Sequence, residues 1–187
     1  MLQKFDTTKV TQAAAFLLKR HNGFITRIRL LKLLYIADRE LIRETHRPLT
    51  GDNPVAMDNG PVLTKTYDLL KGQTSGCEFW SRYIQQIAPY THKLIEDPGI
   101  AKLSKIELAK LDEVIQRYWW IDDDELSNIT HGFAEWKRNE PPRGGRNFIP
   151  TEHVLEALGF GQGDIEKFRH EARAEHELDS LLAGAVA

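Results

Sequence analysis

One stretch limits what this chain can fold into: RIRLLKLLYIADRELIRET, residues 27–45. Read as a helix, it carries two apolar rows. Leu30, Leu33, Leu34, Ala37 and Leu41 form one; Ile28, Leu31, Tyr35 and Ile42 form the other. A helix at a protein surface carries one apolar stripe and turns its polar face to water. Two rows require cover from two sides, which places this helix at the centre of the fold. Thr26 stands where a side-chain oxygen can take an orphan N–H of the first turn. Pro48 sets the end, because the residue before a proline is pushed out of helical geometry.

A length of 187 residues suits one domain, or one domain with an appendage. The hydrophobic fraction of 41% is enough for a core at that size. The formal net charge of −2 supplies no basic field to draw the chain to nucleic acid. A single cysteine, Cys77, excludes an internal disulfide and fits a reducing compartment. No apolar run approaches the roughly 20 residues that span a bilayer. The opening MLQKFDTTKV lacks the apolar core of a secretory signal. The expectation is a soluble cytoplasmic protein.

Periodicity and capping signals predict further helices. One spans 7–21, capped by Asp6 and ended by Asn22-Gly23. Others cover 65–71 behind Thr64 and 105–119 behind the capping box Ser104-Lys105-Ile106-Glu107. A short helix starts at the acidic run 122–124, where carboxylates meet the positive end of the helix dipole. A turn or two follows over 132–138, then a helix to 158 behind Thr151 and a last one behind Asp164. Strands are expected at 54–58, 78–85 and 91–96, paired as one small antiparallel sheet. Residues 59–61, Asn-Gly-Pro, read as a tight turn. Residues 139–147 and 159–163 read as breaks, and beyond 175 the pattern fades into the tail AGAVA. The fold class is mainly α with a small antiparallel β element (α+β), a compact helical domain around helix 27–45. The domain limits are 1–158, then 159–187 as a helical appendage and flexible tail.

Chemistry is thinly signalled. Helices 7–21 and 27–45 have helix-turn-helix spacing, and Arg27, Arg29 and Lys32 could reach phosphates. A recognition helix shows polar side chains to base edges, however, and this one is leucine-rich on both sides. Packing explains it better, so nucleic acid is not expected as a partner. Seven histidines include no HxxxH or HExxH spacing. Only convergence in space of His46, His92 and His131 could make a metal site. The run Asp122-Asp123-Asp124-Glu125 could hold Mg²⁺, but a helix start explains it at lower cost. No phosphate-binding glycine loop and no nucleophile elbow is present. No cofactor, metal or catalytic set is therefore expected. Trp119 and Trp120 point in different directions on a helix, so one of them is a candidate for solvent or a partner.

Several pieces in order carry a resemblance. They are Lys32-Leu33-Leu34-Tyr35, Val55-Ala56-Met57, Gly60-Pro61-Val62, Tyr67-Asp68-Leu69-Leu70-Lys71, and Leu126-Ser127 through Thr130-His131 to Trp136. In order and spacing the chain resembles the Panacea domain, the SocA-like antitoxin family, also met in phage-associated GepA-like proteins. The likeness runs over about 10–158 and is weakest over 73–103. Leu63 departs from the family, which often has a second proline there; that touches only turn geometry. The resemblance implies a mostly helical fold with a small β element and no catalytic residues. It implies the antitoxin half of a bacterial or phage toxin–antitoxin pair, with a cognate toxin as partner. The mechanism implied is direct binding that masks the toxin. The alternative is a proteolytic adaptor whose end after 159 meets a cytosolic protease. A hydrolase using His131 with a nearby carboxylate is the reading from another class. Gly60, Pro61, Tyr67 and Leu126 read as structural, with Tyr35 and Tyr67 packing on each other. Arg39, Asp58, His131 and Trp136 are the candidate partner-binding residues, because polar groups beside aromatics make orienting contacts. Oligomeric state is left open.

Overall fold

The computed structural model describes residues 4–184, without side chains at 175, 176 and 178–184. Its axis is α2 (Arg27–Thr45). Both apolar rows are covered: Leu30, Leu33, Leu34 and Ala37 are fully buried, and Leu31, Tyr35 and Ile42 nearly so. The Thr26 hydroxyl accepts from the Arg29 N–H at 3.2 Å, as a helix cap does. His46, left-handed at φ 61°, ends the helix two residues before Pro48. Around it lie α1 (Thr7–Arg20), capped by Asp6, and α5 (Lys105–Arg117), opened by the reciprocal Ser104–Glu107 box. α6 (Asp123–His131) completes the cover; its cap Asp122 accepts from the Glu125 N–H at 2.8 Å.

Two three-stranded antiparallel sheets flank the helices, where one was expected. The first has the order β1-β5-β4, from β1 (Phe24–Thr26), β4 (Ile84–Ala88) and β5 (Thr91–Leu94). The second has the order β3-β2-β6, from β2 (Pro54–Met57), β3 (Gly60–Leu63) and β6 (Arg146–Phe148). The expected strands 54–58 and 91–96 thus belong to different sheets. β1 and β6 are three residues long, too short to show alternation, and lie in stretches read as links. Pro61 sits inside β3, which an edge strand tolerates because the missing N–H faces no neighbour.

The expected strand 78–85 is corrected. Cys77–Tyr83 is a helix, α4, and only from Ile84 is the backbone extended. Trp80 and Ile84 are four residues apart and both buried, while Phe79 and Tyr83 meet ring to ring at 5.1 Å on the outer side. Those spacings fit a helix as well as they fit alternation. Two caps are also corrected. Thr64 is the first residue of α3 (Thr64–Leu70), and the acceptor for its start is Asp52, which takes the Lys65 and Thr66 N–H groups at 2.9 and 2.7 Å. α8 (Thr151–Ala157) has Pro150 in the cap position and no capping side chain.

α7 (Ala134–Arg138) precedes the 139–147 segment. The last helix, α9 (Gln162–Gly184), starts before Asp164 and runs past residue 175; residues 185–187 of the expected tail lie outside the described residues. A second apolar cluster of Ile42, Ala56, Trp136, Val154, Ile165 and Phe168 seats the start of α9 on α8 and the end of α2. Cutting Leu34 to alanine should destabilise the fold by about 3 kcal/mol, through lost transfer energy plus an unfilled cavity. Ile106→Ala, at a side chain 59% exposed, should stay within about 0.5 kcal/mol. Urea unfolding of the two variants checks the pair.

Candidate functional site

The β2–β3 hairpin turns through Met57, Asp58, Asn59 and Gly60, and three other elements hold its backbone. From α2, Lys32 Nζ donates to the Pro61 carbonyl at 2.8 Å. From α6, the Ser127 hydroxyl donates to the Asn59 carbonyl at 2.8 Å. From α7, the Trp136 indole N–H donates to the Met57 carbonyl at 3.2 Å. The His131 ring lies beside the turn, with its Cδ2 3.3 Å from where a Cβ at Gly60 would stand. A turn normally satisfies such carbonyls with water; here side chains replace it at three of them, Met57, Asn59 and Pro61.

Gly60 allows the close approach. Its φ is +92°, and a Cβ there would lie 2.6 Å from Thr130 Oγ1 and 2.7 Å from Lys32 Nζ. Thr130 is fully buried and donates to the Ser127 carbonyl at 2.8 Å. The Asp58 carboxylate points outward and accepts the Gly144 N–H at 2.8 and 3.0 Å, tying the 139–147 segment to the hairpin.

Behind the hairpin lies a second polar group. Arg39 Nε donates to Glu135 at 2.7 Å, and the Tyr35 hydroxyl donates to the same oxygen at 3.0 Å. The Arg39 guanidinium stands 4.4 Å from the centre of the Phe133 ring, and Tyr35 stacks on that ring. Asp38 accepts from the Thr50 N–H and hydroxyl at 2.8 and 2.7 Å.

Burial governs the titration of these groups. It lowers Lys32 to about 7. It raises Asp38 to about 6. It holds the Tyr35 phenol well above its ordinary value, with Glu135 adding to the effect. It pushes His131 down, helped by the Lys32 charge.

Asp58, His131 and Trp136 lie at this one hairpin, and Arg39 lies one step away, on Glu135. His131 lies 4.3 Å from Trp136, ring to ring, and Arg39 grips the residue before Trp136. Of the four only Asp58 is exposed; Trp136 is 8% exposed. Tyr67 does not meet Tyr35; Arg27 and Lys71 stand over its ring. Of the three cations that could reach phosphate, Arg29 and Lys32 are buried, and Arg27 is half-buried over the Tyr67 and Tyr90 rings. His46 packs on Phe160 and Phe168, His92 lies in β5 and His131 on Trp136, so the three do not converge. Among the described residues no His, Cys, Asp and Glu group could hold a metal. His131 Nε2 is buried without a partner, and no carboxylate bonds to the ring among the described residues. The dyad a hydrolase needs is not formed there. Sequence reasoning missed Lys32, Ser127 and Thr130 as clamp residues; a lysine interrupting a buried row was the available signal for the first.

The clamp residues all lie within a match to the family model of the SocA-like antitoxin, Panacea domain, which covers residues 30–137. The chain belongs to this family. Comparison with curated proteins and with solved structures finds no match. The Panacea match runs from α2 to α7 and contains Lys32, the whole hairpin, Ser127, Thr130, His131 and Trp136, whereas α1, β6, α8 and α9 lie outside it. Membership in the SocA-like family supports an antitoxin role in general, with a toxin as partner, and suggests a non-enzymatic one. Among the described residues no helix is long and apolar enough to cross a membrane.

Gly60→Ala should lose at least about 1–2 kcal/mol from the positive φ alone, and more from the contacts with Thr130 and Lys32; a thermal melt reads this. Lys32 gives a pH signature. Its folded value of about 7 lies below the free value of 10.5, so between these limits the unfolded chain binds more protons. The penalty for burying the charge is complete below pH 7 and vanishes above 10.5. Stability of the parent relative to Lys32→Met should therefore rise with pH across that window. Denaturant titrations of both proteins at pH 6, 8 and 10 test the slope.

Proposed function

We propose that this protein neutralises a cognate toxin by direct protein–protein contact in the cytoplasm, with the clamped hairpin as part of the contact face. The observation that carries the reading is the use of the motif side chains. Lys32, Ser127 and Trp136 all engage hairpin backbone, and His131 packs on Trp136. Among the described residues no carboxylate bonds to the His131 ring. Such an arrangement fixes a shape and performs no bond chemistry. A surface fixed before binding loses less ordering entropy when a partner arrives. In this reading Asp58 touches the toxin. Arg39, His131 and Trp136 position the hairpin from behind. Family membership supplies the class of partner.

The proteolytic-adaptor reading has one observation in its favour. Beyond Phe168, the described side chains of α9 at Arg169, His170, Glu171, Arg173, Ala174 and Glu177 are exposed. A protease could meet them without disturbing the core.

Co-expression with the product of the neighbouring reading frame tests both. Toxicity of that product alone and rescue by this chain are expected. Asp58→Ala should weaken binding about tenfold, in the range of an interface hot spot, with little change in melting temperature. A harmless neighbour, or full rescue by both Asp58→Ala and His131→Ala with folding intact, would count against contact through the hairpin. Truncation after Ala172 should leave rescue and toxin level unchanged under masking; loss of toxin turnover with binding retained would favour the adaptor.

A further inference from the structure

Trp120 is 91% exposed, the most exposed of the large apolar side chains among the described residues. It stands in the turn between α5 and α6. Its neighbours Trp119 and Ile121 pack against the main core, so the turn sends one indole outward and keeps the flanking side chains in. The turn is not loose. Arg29 of α2, 7% exposed, donates through its two terminal nitrogens to the Tyr118 carbonyl at 3.1 Å and to the Ile121 carbonyl. Its Nε holds Asp123 at 2.9 Å, and the Thr26 hydroxyl donates to the same carboxylate. A buried guanidinium thus ties both sides of a turn whose outward side chain is a tryptophan.

The surroundings of Trp120 are acidic. Asp122, Asp124 and Glu125 are exposed and form no ion pair among the described residues; Asp123 alone is neutralised, by Arg29. A nucleic acid or an anionic membrane would be repelled by three such carboxylates. A protein surface carrying an apolar cleft with a lysine or arginine rim would be attracted.

We propose that Trp120 on its Arg29-tied turn is an anchor for the toxin, and that the toxin meets it with an apolar cleft rimmed by basic residues. This rests on the antitoxin reading above and adds the partner's chemistry. The indole provides the buried contact and slows dissociation; the carboxylates steer association. Arg29 is a positioning residue that keeps the indole outward.

The test is binding kinetics between the purified protein and the purified neighbouring product. Trp120→Ala should weaken affinity by about tenfold or more, chiefly through faster dissociation, with the melting temperature unmoved because the side chain packs on nothing. Trp120→Phe should recover part of the loss. Asp124→Asn with Glu125→Gln should slow association and flatten its dependence on ionic strength, leaving dissociation nearly unchanged. Affinity of Trp120→Ala within about twofold of the parent would overturn the proposal and leave the antitoxin reading standing. So would a Trp120→Ala variant that loses self-association in sedimentation while its toxin affinity is intact. Failure of the parent itself to bind the neighbouring product overturns the antitoxin reading, and this proposal with it.

Discussion

Because α2 is covered on both sides, the polar groups on its buried faces cannot rely on water. A buried polar group left unpaired is costly, and a buried charge more so. Each therefore finds a partner, and each partner belongs to a different part of the chain. Arg29 takes the turn before α6. Lys32 takes the hairpin. Asp38 takes Thr50 in the segment after the helix. Arg39 takes Glu135 of α7. Glu40 takes Lys110 and Arg117 of α5. Apolar burial draws the elements onto α2 without direction; these polar contacts set where along the axis each one stops.

That division explains what could be read from the residues. The two leucine rows were visible, because helical periodicity shows in a window of 19 residues. The capping box at Ser104 was visible, because its parts are three residues apart. Asp52 as the acceptor for α3 was not, since it lies 14 positions from Thr66 and the local threonine offered a simpler choice. The pairing of β1 with β5 was hidden for the same reason; Phe24 meets Lys93 across most of the first half of the chain. Residues 77–83 misled because Phe79, Ser81 and Tyr83 alternate while Trp80 and Ile84 keep helical spacing, and seven residues do not separate the periods. His131 and Trp136 lie against the hairpin and Arg39 against α7, and their being turned inward could not be read from residue type.

Lys32 illustrates why a depressed pKa needs geometry before it is given a role. A lysine near neutrality is often a sign of catalysis. Here the ammonium meets a carbonyl and the approach of a glycine, and the neighbouring imidazole packs on an indole. Nothing in that set makes a nucleophile–base pair. The cost of desolvating the charge goes into fixing a hairpin, as buried ionic groups elsewhere fix register at the expense of stability. The glycine follows from the lysine: any side chain at residue 60 would displace the Nζ from the Pro61 carbonyl.

Arg29 and Lys32 are three residues apart on α2, and positions so spaced lie on one helix face. One cation ties the Trp120 turn and the other ties the hairpin that carries Asp58. Between these points run α6 and α7, whose Ser127 and Trp136 also bind the hairpin. The outward groups at the two ends of α6 are thus fixed to the same stretch of buried helix. Independent motion of one against the other would break charged hydrogen bonds in a medium without water to replace them. A partner that meets both ends meets a single rigid body, with its spacing set by the length of α6 and its orientation by α2. The central helix, buried over most of its length, then governs the shape that a partner reads.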